Sequence, residues 1–179
     1  TFFGNGIVGH ISFSEPACAE LRKIIAACAR KVVRNLNWRS AVKVREGGTY
    51  VNMEGPAFST KAESLVNRKL GFDVIGMTSL AEAKLCREAG ICYQAVSMVT
   101  DFDCWHESKE PVTVEMVVAN LRANTGVARL IISDIVPLLG RSRRTCGCED
   151  AVQNAIITDK GMIPAKTKKA LRHIIGKYL

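Results

Sequence analysis

Apolar and polar positions alternate along the chain in a way that predicts helices separated by short strands. Over residues 15–35 apolar side chains recur at helical spacing, and Pro16 suits the first turn of such a helix. A long helix is predicted over residues 113–139, with an interruption at Gly126, and two shorter helical patterns follow it. The apolar stripe of the first helix consists of Leu21, Ile24, Ile25, Cys28 and Val32.

Two capping boxes predict further helices in the middle of the chain. Thr60–Glu63 opens a helix that ends near Gly71, and Ser79–Glu82 opens another that ends at Gly90. In each box a hydroxyl and a carboxylate three residues apart satisfy backbone groups at a helix N-terminus.

Strand-like segments lie between these helices. β-type runs at 41–46 and 49–53 are separated by two glycines that predict a turn, and a short apolar strand is predicted at 72–77. Residues 91–100 are apolar and β-branched throughout, which predicts a strand buried on both faces and therefore flanked by neighbours. This alternation predicts an α/β fold with a substantially parallel sheet, and the length of 179 residues suits a single domain over 1–179.

Composition narrows the classes of function. The chain is 47% apolar and carries a net charge of +8, with basic clusters at 141–144 and 166–169. Aromatic residues do not interleave with those clusters, so nucleic acid is not an expected partner. Apolar runs fall short of the ~20 residues of a membrane-spanning helix, and the N-terminal segment is no secretory signal. A cytoplasmic location with mostly reduced thiols is expected.

Seven cysteines are present, and Cys146 and Cys148 are separated by a single residue. That gap is shorter than usual zinc spacing, and no cysteine or histidine pair nearby in sequence completes a site, so no metal is expected. The two side chains are either surface thiols or a small, strained and easily reduced disulfide.

Three loops follow the predicted strands, where ligands bind in parallel sheets: 54–60, 77–79 and 100–105. In the last loop Asp101 and Asp103 are one residue apart, and ionising both carboxylates is unfavourable because their negative charges repel. One of them is therefore expected to stay protonated and to donate a proton. Such a pair can instead cap a helix or bind a cation. Phe58 is either a core residue or a stacking face for a planar ligand, with Ser59 at the ligand's edge.

The same loops carry a resemblance to a known family. The segments GGTYVNMEGPAFSTKAES, GFDVIGMTSLAEAKLCREAGICY and VSMVTDFDCW resemble the 5′-methylthioadenosine phosphorylases, within the trimeric purine nucleoside phosphorylase family. The match runs from about residue 4 to about residue 118, with weaker similarity beyond. It implies a layered α/β/α fold with a mixed central sheet that lacks the family's N-terminal strands.

The resemblance also implies roles for individual residues. Asp101 is the expected general acid at adenine N7, and Asp103 accepts from the 6-amino group. Thr78 is expected to bind phosphate. The other expected contacts are Phe58 and Ser59 at the base, Met77 at the ribose, Val114 and Val117 at the 5′-methylthio group, and His10 and Met162 across a trimer interface.

The activity implied is phosphorolysis of 5′-methylthioadenosine, with phosphate as co-substrate and without metal or organic cofactor. Ser59 and Asp101 favour adenine, because the 6-oxopurine relatives carry an acidic residue and an asparagine at these points. The family's Gly-rich phosphate loop and Arg-His pair have no counterpart here, so a further N-terminal polypeptide is expected to supply them. A broad purine nucleoside phosphorylase and a nonenzymatic nucleoside- or nucleic-acid-binding module are the alternatives.

Overall fold

The computed structural model describes residues 1–36, 42–107, 113–141 and 143–179. Six α-helices are found in this part of the chain: α1 (Ala19–Asn35), α2 (Lys61–Lys69), α3 (Ser79–Glu88), α4 (Val114–Leu139), α5 (Ala165–Ala170) and α6 (Arg172–Ile175). Short 3₁₀ turns cover Gly147–Asp150 and Gly176–Tyr178. The described helices include none that is long and apolar enough to cross a membrane.

The predicted helices are confirmed, with differences at two points. The first begins at Ala19 rather than Glu15, because the Cys18 thiol accepts a hydrogen bond from the Leu21 N–H, at 3.5 Å, and so caps it. Pro16 therefore precedes the helix. Thr60 and Glu63 form the predicted reciprocal capping box of α2. α4 runs unbroken through Gly126, where a Cβ would meet open space, so the glycine costs little more than its propensity, about 1 kcal/mol.

Two short parallel strands, β1 (Tyr50–Asn52) and β2 (Val74–Gly76), pair with each other. They confirm the strands predicted at 49–53 and 72–77, and Tyr50 stands opposite Val74 in the register. Because the strands are parallel, the residues that follow each of them leave from the same edge. That edge carries the candidate site.

Two predicted strands do not form in the described residues. Residues 42–46 have no ladder partner, and Ala41 lies outside the described part. Residues 91–100 are likewise not a strand, and Val99 is 66% exposed, so this segment is not buried on both faces. Its last carbonyls are bonded by amides of α4 instead: Asn124 Nδ2 donates to Val99 O at 3.0 Å, and Asn120 Nδ2 donates to Thr100 O at 2.8 Å.

Two compact units make up the chain, and each has its own core. The first comprises Thr1–Arg22, Ser79–Ala95 and Arg144–Leu179, and its buried residues are Ile7, Val152, Ala155, Ile163 and Ile175. The second comprises Lys23–Thr78 and Val96–Arg143. In its core the predicted stripe of α1 packs on α4 through Cys28, Ala29, Val127, Ile131 and Ile135. A single domain over 1–179 stays a prediction.

Candidate functional site

The loop after β1 and the residue after β2 touch each other at one edge of the strand pair. Met53 N donates to Gly76 O at 2.9 Å and continues the pairing beyond the strands. Gly55 has a φ of +73°, and a Cβ at this position would overlap the Met77 side-chain methyl. A glycine therefore allows the 54–60 loop to approach Met77 closely. The strand-end rule thus located two of the three loops correctly.

The third loop joins them through a thiol contact. The Cys104 Sγ donates to the Ser59 carbonyl at 3.6 Å, so the loop that carries the paired carboxylates lies against the loop that carries Phe58. Ser59 is half-buried, and its Oγ lies 3.8 Å from the Met53 sulfur. Within the second unit, the 54–60 loop therefore contacts both Met77 and the 100–105 loop.

Asp103 is held by groups that its neighbours donate. The Ser64 hydroxyl on α2 donates to one carboxylate oxygen, and the Cys104 N–H donates to the other at 2.9 Å. Ser64 is fully buried, and its Oγ in turn accepts from the Trp105 N–H at 3.1 Å. An acceptor fixed in this way keeps its lone pairs in a defined direction.

Asp101 lies in a different environment only two residues away. Its side chain is exposed, and one carboxylate oxygen accepts from the neighbouring Thr100 hydroxyl at 2.5 Å. One carboxylate of the pair is thus anchored by the protein, while the other faces outward, where a ligand can reach it. Such a difference in surroundings lets two like carboxylates take different roles.

Phe58 is 83% exposed at the tip of its loop. The alternative in which Phe58 packs into the core is therefore wrong. An exposed ring on the loop that contacts Cys104 is an available stacking surface, and its role against a base stays a prediction.

The capping box fixes the end of the Phe58 loop. Thr60 N and its hydroxyl both donate to Glu63 Oε2, at 2.7 and 2.8 Å. These donors lower the pKa of Glu63 below its ordinary value, since they stabilise the charged form.

Val114 and Val117 lie in the first turn of α4, which Thr113 caps through its hydroxyl and the Met116 N–H. Val114 is 74% exposed and Val117 is half-buried. The bond from Asn120 to the Thr100 carbonyl attaches the start of this helix to the loop of Asp101. A common surface of the apolar turn and the carboxylate pair stays a prediction.

The remaining predicted residues lie on exposed positions. Thr78 is exposed directly after Met77 and is the last residue of the second unit. His10 and Met162 belong to the first unit. The backbone N–H of His10 donates to the Ala155 carbonyl at 2.8 Å, and the Met162 side chain is 76% exposed. Their contact with a partner subunit stays a prediction.

Sequence reasoning missed two groups at this site. Ser64 gave no signal except its position one turn into α2, and only the fold brings it to Asp103. The second group consists of aromatic rings and one arginine that packs on them. The Arg68 guanidinium lies 4.0 Å from the centroid of the Trp105 ring, and Phe102 stacks on His106 with 4.4 Å between ring centroids. The Arg68 contact attaches the segment that follows Asp101 to α2.

Comparisons with a family model and with individual relatives identify the same family. The model of the phosphorylase superfamily matches residues 1–137. The S-methyl-5'-thioadenosine phosphorylase of Geobacter sulfurreducens is 48% identical over 100% of this chain and 59% of its own length. That of Koribacter versatilis is 50% identical over 99% of this chain and 58% of its own length.

Solved structures agree with this result. A methylthioadenosine phosphorylase from an antarctic soil metagenomic library superposes with a TM-score of 0.83 at 35% identity, over 97% of this chain and 58% of that one. The Schistosoma mansoni methylthioadenosine phosphorylase in complex with adenine gives 0.70 at 33% identity, over 81% of this chain and 54% of its own.

The chain thus spans about 58–59% of the length of the first two curated relatives. The resemblance first seen in three loop segments is confirmed by these matches, and so is the α/β phosphorylase fold. The family match, the sequence identities and the superposition lead to the same conclusion: this chain belongs to the phosphorylase superfamily.

Proposed function

We propose that this protein catalyses phosphorolysis of 5′-methylthioadenosine to adenine and 5-methylthioribose-1-phosphate. The observation that carries the proposal is the unequal pair of carboxylates, with Asp103 anchored by Ser64 and Asp101 exposed beside it. The names of the relatives support the same reaction.

In this reaction the bond between the anomeric carbon and the glycosidic nitrogen breaks, and its electron pair leaves with adenine. Asp101 transfers its proton to N7 and neutralises that charge, while a phosphate oxygen forms the new bond to the anomeric carbon. Asp101 is left as a carboxylate and recovers a proton from solvent. Charge developing on the base is thus stabilised where it appears.

Asp103 supplies the selectivity for the base. Held by Ser64 and the Cys104 N–H, its carboxylate accepts from the 6-amino group of adenine. In a 6-oxopurine the 6-oxo oxygen would face the Asp103 carboxylate. Both groups are hydrogen-bond acceptors, so neither would receive a hydrogen bond from the other. Adenine is the base that fits.

The exposed residues around the pair complete the proposed substrate site. Phe58 stacks on the purine, with Ser59 at its edge, and Met77 covers the ribose. The apolar turn formed by Val114 and Val117 receives the 5′-methylthio group, and a hydroxyl in its place is tolerated poorly but not rejected. A broad specificity for 6-aminopurine nucleosides is therefore the second candidate.

Phosphate binding is assigned to Thr78, together with residues beyond this chain. The relatives extend well past the matched region, which leaves room for an anion-binding segment. A homotrimer, in which His10 and Met162 reach a neighbouring subunit's site, is proposed from the resemblance. A sedimentation mass of a fully active monomer would contradict the trimer. A cytoplasmic location without nucleic-acid partners stays a prediction.

The acid role is tested by Asp101→Asn in the full-length protein. The amide keeps most of the shape but carries no transferable proton, so kcat should fall by a factor of about 10² or more, while binding of 5′-methylthioadenosine changes little. Asp159→Asn, on the other unit, is the matched control and should retain activity. Equal turnover in Asp101→Asn and the parent would remove Asp101 from this role.

A further inference from the structure

Four cysteines that are far apart in sequence come together in the first unit. The Sγ atoms of Cys18, Cys92, Cys146 and Cys148 all lie within 4.8 Å of one another, and those of Cys92 and Cys146 are 3.3 Å apart. Four sulfurs bound at about 2.3 Å to a tetrahedral ion lie about 3.8 Å from each other. The observed separations bracket that spacing.

Three separate segments supply these thiols, and each is fixed by hydrogen bonds. Cys18 caps α1, so that its sulfur already accepts from the Leu21 N–H. The Glu20 carboxylate holds the Cys146 loop by accepting from Thr145 N at 3.1 Å and from Cys146 N at 2.8 Å. N–H donors to the sulfurs and anchored loops are the outer-shell features that orient metal ligands.

Positive charge faces the cluster from two sides. Arg87 Nη1 lies 3.9 Å from the Cys148 sulfur, and Arg144 Nη1 lies 3.8 Å from the Cys92 sulfur. Both guanidinium groups are held in place, Arg87 by the Glu15 carbonyl and Arg144 by the Glu149 carboxylate at 2.7 Å. A divalent ion with four thiolates keeps about two negative charges, and a guanidinium group lies beside two of the four sulfurs.

The four cysteines are also more buried than thiols that happen to lie near one another on a protein surface. Cys18 is 3% exposed and Cys148 is 5% exposed, while Cys92 and Cys146 are half-buried. The other three cysteines, Cys28, Cys86 and Cys104, lie elsewhere in the structure.

We propose that Cys18, Cys92, Cys146 and Cys148 bind one Zn²⁺ ion in a closed, four-sulfur structural site. Binding forms four Zn–S bonds and releases the thiol protons to solvent, with no change of oxidation state. Four protein ligands leave no open position for substrate, so the ion ties three segments of the unit together and takes no part in phosphorolysis. The sequence-based expectation of no metal rested on the Cys146–Cys148 pair alone, whereas half of the proposed ligands lie far from that pair in the chain.

The test uses the full-length protein purified under reducing conditions without chelator. We expect about one zinc per chain by elemental analysis, and X-ray absorption should show about four sulfurs at about 2.3 Å. Cys146→Ser should lower the zinc retained after dialysis by at least about tenfold. Cys86→Ser, which alters a half-buried cysteine of the same unit outside the cluster, should retain the parent's zinc.

Should Cys146→Ser fail to fold, cobalt substitution of the parent protein still decides the question, because tetrahedral thiolate ligation gives Co²⁺ strong visible bands and a sulfur charge-transfer absorption. A protein that binds no metal overturns the proposal, whether intact mass shows free thiols or the loss of hydrogens that disulfides produce. Zinc with nitrogen or oxygen ligands, or zinc retained fully by Cys146→Ser, overturns it as well.

Discussion

Removing the Ser64 hydroxyl should loosen the anchored carboxylate of the site. In Ser64→Ala the donor to Asp103 and the acceptor for the Trp105 N–H disappear together. The position is fully buried, so solvent has no direct route to replace the lost oxygen. We expect a less stable protein whose affinity for adenine nucleosides is weaker, because Asp103 is no longer held toward the 6-amino group.

The magnitude follows from the two bonds. A hydrogen bond to a charged group contributes about 1.5–3 kcal/mol, and one between neutral groups contributes about 0.5–1.5 kcal/mol. Asp103 is only half-buried, so water recovers part of the first contribution. The free energy of unfolding should therefore fall by about 1–3 kcal/mol.

Urea unfolding of the parent, of both single variants and of the double variant Ser64→Ala, Asp103→Ala measures this directly. The double-mutant cycle should give a coupling of about 1–2 kcal/mol between the two side chains. Ser97→Ala, at an exposed serine of the same unit, is the control and should stay within about 0.5 kcal/mol of the parent. A coupling near zero, or a Ser64→Ala variant as stable as the control, would refute the reasoning.

Three further changes test the loops around the site. Gly55→Ala should raise KM and lower the urea midpoint, because its φ is positive and the new methyl overlaps Met77; unchanged kinetics would contradict the close approach. Glu63→Gln should lower the melting temperature most above about pH 4.5, because the lowered pKa of Glu63 stabilises the fold while the carboxylate is charged. The difference should shrink as pH falls below that value and through the folded pKa; a constant difference at every pH would contradict this. Ser59→Glu combined with Asp101→Asn should shift kcat/KM toward 6-oxopurine nucleosides; a preference for adenine retained in an active, folded variant would contradict the assigned base contacts.

Local signals carried most of the helix prediction. Thr60 and Thr113 are ordinary capping residues, and the helices that they open begin where the sequence indicates. Cys18 is not a residue that sequence rules expect at a helix cap, and the start of α1 was therefore misplaced. Packing against α1 carries α4 through Gly126 against its low propensity.

Long-range partners account for what sequence reasoning missed. The apolar segment 91–100 has the composition of a central strand, but a strand needs a neighbour to pair with, and amides of α4 take its last carbonyls instead. The rule that ligands bind at strand ends located the loops that follow β1 and β2. It could not show that Ser64 would reach Asp103, or that Cys18 and Cys92 would join a pair more than fifty residues away.

Phosphate-dependent release of adenine tests the central claim most directly. The full-length protein is incubated with 5′-methylthioadenosine with and without inorganic phosphate, and adenine and the sugar phosphate are quantified by chromatography. We predict that adenine and 5-methylthioribose-1-phosphate form in equal amounts, and only when phosphate is present. Adenine released equally well without phosphate, or nucleoside bound without any release, would contradict the assignment of a phosphorylase.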